Sequence, residues 1–209
     1  MKENIHQHNF SLKREDFLKK NKMEKEERIL WFFGPSGAGK STLANEVQRR
    51  YFKEDRPLKI LDGDDLRSGL CSDLGFSIEE RSENMRRAAE VAKLFHEMAL
   101  GPLCCFVTPL KIHRDIVRSI LKERVLFFYI AATLEDCFER DPKQLYARAK
   151  NNEIKDFTSL SSPFEEPNLE EESDCYKIDT SKKNISSCVE EVFSLLRSTL
   201  IHDKTQSTL

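Results

Sequence analysis

Apolar and polar positions along this chain follow two alternating rhythms from residue 29 onward. Short apolar runs at 29–33, 58–61, 102–108, 125–131 and 175–178 have the length of strands. Segments with apolar residues at three- and four-residue steps lie between and after them, and they predict helices over 39–52, 77–100, 112–122, 133–140 and 185–200. The run Val125-Leu126-Phe127-Phe128-Tyr129-Ile130-Ala131 has no polar alternation. It reads as a parallel strand covered on both faces. Within 77–100, Met85, Ala88, Ala89, Ala92, Leu94, Phe95 and Met98 form one apolar stripe, and Ser77-x-x-Glu80 is a capping box at its start. Regular β–α alternation predicts an α/β fold: a doubly wound, mostly parallel five-stranded sheet with helices on both faces. Ligands of such sheets bind beyond the carboxyl ends of the strands.

Three segments fall outside this rhythm. Residues 151–173 lack periodicity and carry Pro163, Pro167 and many Ser, Asp and Glu residues, as a functional or disordered loop does. Residues 1–28 are polar and charged, unlike a secretory signal. Phe10, Leu12, Phe17 and Leu18 leave two readings of this leader open, a flexible tail or a helix packed on the domain. Residues 202–209 read as a flexible tail, so the domain is expected to span 29–201.

Composition narrows the function classes. The chain has 209 residues, 39% apolar and 33% charged, enough for one domain with a sizeable core. A formal net charge of −2 gives no basic excess to attract nucleic acid or an anionic membrane, and no run is long enough to span a bilayer. The six cysteines form no C-x-x-C pair, and no histidine stands at metal-ligand spacing from them. Cys104 and Cys105 sit in an apolar run and read as small buried hydrophobes. A reducing, cytoplasmic setting is expected.

The sharpest chemical signal is Gly34-Pro35-Ser36-Gly37-Ala38-Gly39-Lys40-Ser41, followed by Thr42. It fits G-x-x-x-x-G-K-[ST] at every fixed position, directly after a strand and opening a helix, the context that makes this pattern a phosphate-binding loop. Glycines let consecutive backbone N–H groups converge on a polyphosphate, and the helix adds its positive end. Lys40 is the candidate for reaching the β- and γ-phosphates, and Ser41 for ligating Mg²⁺. The expected cofactors are therefore ATP and Mg²⁺.

Two further clusters follow. Leu61-Asp62-Gly63-Asp64-Asp65-Leu66-Arg67 ends the second strand. Asp62 and Asp64 can serve Mg²⁺ and an acceptor hydroxyl, or they can form an acidic turn that caps the next helix. Arg67, Arg81, Arg86 and Arg87, with Phe76 and Asn84, can bind an anionic nucleotide through arginine forks and a ring. The same spacing also suits a solvated helix face with ion pairs to Glu80 and Glu83.

The order of these pieces resembles the adenylylsulfate (APS) kinase family. The matching motifs are the phosphate loop, L-D-G-D-x-x-R-x-G-L at 61–70, D-L-G-F-S at 73–77, R-x-E-N-x-R-R at 81–87 and D-P-K-x-L-Y at 141–146. Segments at 153–158 and 163–165, and Asn4-Ile5, His8 and Lys13-Arg14-Glu15 in the leader, extend the likeness over nearly the whole chain. The resemblance implies a P-loop kinase fold and transfer of the ATP γ-phosphoryl group to the 3′-hydroxyl of APS. It implies Lys40 and Asp64 in catalysis, with Asp62 and Ser41 at Mg²⁺. It places APS against Asp64, Asp65, Leu66, Arg67, Phe76, Arg81, Asn84, Val107, Thr108, Lys143, Asp156 and Phe157. Residues 143–170 would form a lid. Some relatives carry a phosphorylated serine at the position of Thr108, so Thr108 is also a catalytic candidate, although direct in-line transfer is the favoured route. Relatives are commonly dimers, so a homodimer is expected.

The chain departs from the family pattern at several positions. Asp65 stands where Asn is common, Gln144 replaces the glycine of D-P-K-G-L-Y, and Asp156 and Ser159 replace two lid glycines. These differences leave a second acceptor class open, another nucleotide-linked small molecule such as a cytidine nucleotide derivative. A nucleotide-binding module without turnover is a third possibility, which the presence of Lys40, Ser41, Asp62 and Asp64 argues against.

Overall fold

The computed structural model describes residues 14–21, 27–141, 144, 146, 158 and 162–206. Five strands, β1 (Ile29–Phe33), β2 (Leu58–Asp62), β3 (Gly101–Phe106), β4 (Val125–Ala131) and β5 (Cys175–Asp179), form one sheet in the order β2-β3-β1-β4-β5. Every pairing is parallel. The connection leaving β1 runs towards β2 on one side and that leaving β3 runs towards β4 on the other, so the carboxyl ends of β1 and β3 flank the switch point where a ligand crevice opens.

The alternation of side chains divides the core into two layers. Leu30, Phe32, Cys105, Phe128 and Ile130 face α2 (Lys40–Lys53) and α7 (Ile185–Gln206) through Leu43, Val47, Val192 and Phe193. Trp31, Phe33, Cys104, Phe127 and Tyr129 face α4 (Ile78–Glu97) and α5 (Lys111–Leu121) through Met85, Ala88, Ala92, Val117 and Leu121. β1 and β4 are buried at every position, as the unbroken apolar run of β4 predicts. All six cysteines are buried free thiols.

Element ends shift where backbone chemistry overrides periodicity. The third strand stops at Phe106, because Thr108 turns to φ +42° and Pro109 has no N–H for a ladder. The Ser77–Glu80 capping box forms as predicted, but α4 ends at Glu97, and Ala99 at φ +51° turns the chain away from the helix. A short helix that periodicity did not reveal, α3 (Gly63–Arg67), follows β2 directly. The last helix continues to Gln206, past the predicted end at 200. In the leader, α1 (Arg14–Asn21) buries Leu18 against Ala99, and the Arg14 Nε donates to the His96 carbonyl at 3.0 Å. The described part of the leader thus takes the packed-helix form. α6 (Leu134–Arg140) is capped by Thr133. Gln144 keeps the left-handed backbone, φ +53°, that suits the glycine it replaces.

The aperiodic segment is anchored where it returns to the sheet. Glu172 accepts from Arg114 through two bonds of 2.9 Å, and from Arg118 at 2.6 Å. Asp174 extends the cluster to Arg118 at 2.8 Å. The Glu165 N–H donates to the Pro109 carbonyl at 2.7 Å, and its carboxylate caps α5 at the Lys111 N–H. Burial alone would raise the Glu172 carboxyl, but the Arg114 and Arg118 guanidiniums outweigh it and hold the carboxyl at about 2.

Glu172→Gln should leave buried guanidinium charge uncompensated and lower stability near neutral pH by about 3–5 kcal/mol in urea denaturation. A carboxyl held below its ordinary value contributes fully above that value and loses its contribution as pH falls through the folded value. The gap between native chain and variant should therefore close as pH falls from about 4.5 towards about 2. A gap that is absent at neutral pH, or unchanged by acid, would contradict this account.

Candidate active site

The phosphate loop leaves the carboxyl end of β1, and its shape demands glycine at two points. A Cβ on Gly34 would lie 2.3 Å from the Ile130 carbonyl oxygen, and one on Gly37 would lie 2.8 Å from that of Cys137. Gly37 also holds φ +77°, in the left-handed region. Two distant side chains support the loop from below. The Tyr146 hydroxyl donates to the Ser36 carbonyl, and the Thr180 hydroxyl donates to the Ala38 carbonyl, both at 2.9 Å. α2 opens directly from the loop with no acidic residue in its first turn, so its positive end stays uncompensated where an anion would sit.

Lys40 folds back over this loop. Its Nζ donates to the Gly34 carbonyl at 2.9 Å and to the Pro35 carbonyl at 2.7 Å. Burial lowers its pKa to about 8, outweighing the nearby Asp62 and Asp64 carboxylates that favour the charged form. The Ser41 hydroxyl donates to Asp62 Oδ2 at 2.9 Å. The other oxygen, Oδ1, accepts from the Asp64 N–H at 3.0 Å and caps α3. Asp62 thus caps a helix, as one sequence reading of the acidic turn has it, and accepts from the Ser41 hydroxyl. Among the described residues no group of three or more His, Cys, Asp or Glu side chains could hold a metal. The Ser41–Asp62 oxygens instead suit a Mg²⁺ that shares its shell with phosphate and water.

Further along the chain, the Phe76 ring lies near two guanidiniums. Arg67 sits over the Phe76 ring with its Cζ 4.2 Å from the centroid, and Arg81 sits 5.2 Å from it. Phe76 remains 47% exposed. Backbone carbonyls fix both arginines: Arg67 donates to Leu74 and Gly75 at 3.0 and 2.9 Å, and Arg81 Nε to Phe76 at 2.9 Å. Glu80 stiffens the turn by accepting from the Gly75 and Ser77 N–H groups at 2.8 and 3.1 Å. One turn along α4, Asn84 is only 2% exposed, and its Nδ2 finds no hydrogen-bond partner among the described residues. A buried donor left without a partner calls for an explanation, and a ligand acceptor supplies one. The two halves meet through Asp62, whose oxygens accept from Ser41 and from the N–H of Asp64, on the same short helix as Arg67.

Other candidates fall elsewhere. Arg86 and Arg87 leave the arginine cluster: Arg86 pairs with Glu83 at 2.7 Å, and Arg87 pairs with Asp73 at 2.6 Å and Glu83 at 2.9 Å, on a solvated face. Thr108, a catalytic candidate from sequence, lies just past the end of β3, beside Trp31. It is 1% exposed, and its Oγ1 accepts from the Trp31 indole at 2.9 Å. Val107 borders the crevice through its carbonyl, which accepts from the Gly34 N–H at 3.3 Å. Leu66 packs on the core, while Asp65 and Thr42 are exposed. Lys143, Asp156 and Phe157, and most of the expected lid, lie outside the described residues. Two clefts of about 610 and 710 Å³ open near the amino ends of the strands, beside Val125 and Tyr176 and beside Pro57 and Leu58, away from these groups.

Comparison with known proteins places this geometry. The model of the adenylylsulphate kinase family matches residues 26–173. The chain is 51% identical over 169 residues to the adenylyl-sulfate kinase of Prochlorococcus marinus, covering 80% of this chain and 82% of that protein. It is 44% identical to the adenylyl-sulfate kinase of Shewanella denitrificans, covering 80% of each. Among solved structures, the APS kinase of Mycobacterium tuberculosis in complex with AMPPNP and APS superposes with a TM-score of 0.76 at 36% identity, covering 82% of this chain and 98% of that one.

The lowered pKa of Lys40 predicts how triphosphate binding responds to pH. The charged amine is the binding form, and phosphate oxygens raise its pKa in the complex. Affinity for ATP with Mg²⁺ should hold up to about pH 8 and then fall, approaching about tenfold per pH unit. Calorimetric titration from about pH 7 to about pH 9.5 checks this, and Lys40→Arg should flatten the profile because arginine stays charged. A native profile flat across that range would refute the phosphate contact.

Proposed function

The chain belongs to the adenylylsulphate kinase family, and from that premise we propose that it transfers the γ-phosphoryl group of ATP to the 3′-hydroxyl of adenylylsulfate, giving 3′-phosphoadenylylsulfate and ADP. The observation that carries this reading is the Asp62 carboxylate, which joins the helix opening from the phosphate loop, through Ser41, to the short helix that bears Asp64 and Arg67.

Phosphoryl transfer depends on positioning and charge neutralisation more than on covalent chemistry. The loop N–H groups and Lys40 grip the triphosphate, and the amine follows charge onto the γ-phosphoryl group as it leaves ADP. Ser41 and Asp62 are the residues that would hold Mg²⁺, which when bound neutralises charge on the β- and γ-phosphates. Arg67 and Arg81 orient the phosphosulfate of the acceptor, and Phe76 offers its ring to the adenine. The Asn84 amide donates to an acceptor oxygen that replaces its missing partner. Asp64 orients the 3′-hydroxyl and takes its proton as the new P–O bond forms. The buried and bonded Thr108 hydroxyl supports direct in-line transfer over a phosphothreonine relay.

The test is acceptor-dependent ADP release from ATP and Mg²⁺ across a panel of nucleotides, with the product identified. Adenylylsulfate should be preferred, and preference for a cytidine nucleotide derivative would overturn the acceptor assignment. Lys40→Ala should cut turnover by about 100-fold or more. Arg81→Ala should raise KM for adenylylsulfate about tenfold or more and leave KM for ATP nearly unchanged. Equal loss of both affinities would contradict the placement of Arg81.

A further inference from the structure

Trp31 has no part in the roles above. It is fully buried in β1, stacked on Phe106 with ring centroids 5.1 Å apart. A buried indole N–H requires an acceptor, and here that acceptor is the Thr108 Oγ1 at 2.9 Å. The Thr108 hydroxyl lies 3.5 Å from the Met85 sulfur, one residue along α4 from Asn84. Thr108 holds φ +42°, a left-handed conformation that a β-branched residue resists. Such a conformation persists where its surroundings over-determine it. The carbonyls on either side show what the turn connects. That of Val107 accepts from Gly34, the first residue of the phosphate loop, at 3.3 Å, and that of Pro109 accepts from Glu165 at 2.7 Å.

We infer that Trp31 is a positioning residue for the acceptor: its indole N–H holds Thr108 in the left-handed turn that sets Val107 between the phosphate loop and the helix bearing Asn84. Without that bond, residue 108 is released from the conformation that chirality disfavours, and the wall at Val107 shifts relative to Asn84. The phosphate loop keeps its own supports from Tyr146 and Thr180, so the triphosphate side is affected less. The kinetic consequence rests on the proposed kinase reading, while the bond itself can be observed independently of turnover.

Trp31→Phe keeps a ring and deletes the donor, and Thr108→Val keeps the shape and deletes the acceptor. Each should raise KM for adenylylsulfate about 5- to 10-fold, the worth of one hydrogen bond, with KM for ATP changed by less than about twofold. The double variant should be no worse than the weaker single variant, because both remove the same bond. Thr108→Ser, which keeps the acceptor oxygen, should recover most of the loss. Additive effects, or equal changes in both KM values, would overturn the inference. The chain has one tryptophan, so the ¹⁵N-labelled full chain shows one indole N–H resonance. That resonance should move upfield in Thr108→Val and stay near its native position in Thr108→Ser. If the native chain phosphorylates no adenylylsulfate, the proposed function fails, and the resonance still decides the bond. An unmoved resonance in Thr108→Val overturns the inference even if the kinase is active.

Discussion

One carboxylate joins the two halves of this site. Asp62 receives the Ser41 hydroxyl on one oxygen and the Asp64 N–H on the other. Ser41 belongs to the helix that opens from the phosphate loop, and Asp64 to the short helix that leads to Arg67. β3 lies between β1 and β2 in the sheet, so this link has to pass over the end of β3. It does so at Gly63, where a Cβ would already press on the Phe106 ring at 3.2 Å. Two hydrogen bonds to one carboxylate, at 2.9 and 3.0 Å, suit a joint that fixes the spacing of two substrates. Under the proposed reaction, that spacing is the distance between the γ-phosphoryl group and the hydroxyl that receives it.

The rest of the fold makes that joint rigid. Two buried layers clamp the central strands from both sides, so the strand ends that carry the loops have little freedom. Side chains far along the chain then hold the loops themselves: Tyr146 and Thr180 under the phosphate loop, Glu80 beneath the arginine turn, Trp31 beside the left-handed Thr108, and the Glu172 cluster where the aperiodic segment returns. A fixed polar environment of this kind needs little reorganisation as charge moves during transfer.

The hydrophobic pattern revealed the strands, most helix spans and the two-sided burial of β4, because short unbroken apolar runs mark buried strands and a 3.6-residue repeat marks helices. The phosphate loop was legible because its glycines, lysine and serine serve local backbone geometry. α3 was not, because a single turn carries no repeat. The arginines were legible as a cluster but not as two sets. Arg81 and Arg87 look alike in sequence, and only the fold shows one beside the Phe76 ring and the other bound to Asp73 and Glu83. The indole that occupies the Thr108 hydroxyl was not legible, because a hydroxyl in a motif says nothing of a partner 77 residues away. Tyr146 and Thr180 were missed as loop supports because they act across 110 and 142 residues, beyond any local pattern.

The central claim is that Asp64 works at the meeting point of donor and acceptor. It is tested most directly by the single-turnover rate of transfer in Asp64→Asn with ATP, Mg²⁺ and adenylylsulfate all bound. The rate should fall by about 10²- to 10⁴-fold, the usual worth of a positioned base, while both nucleotides bind within about threefold of their native affinities. A transfer rate close to that of the native chain would contradict the account.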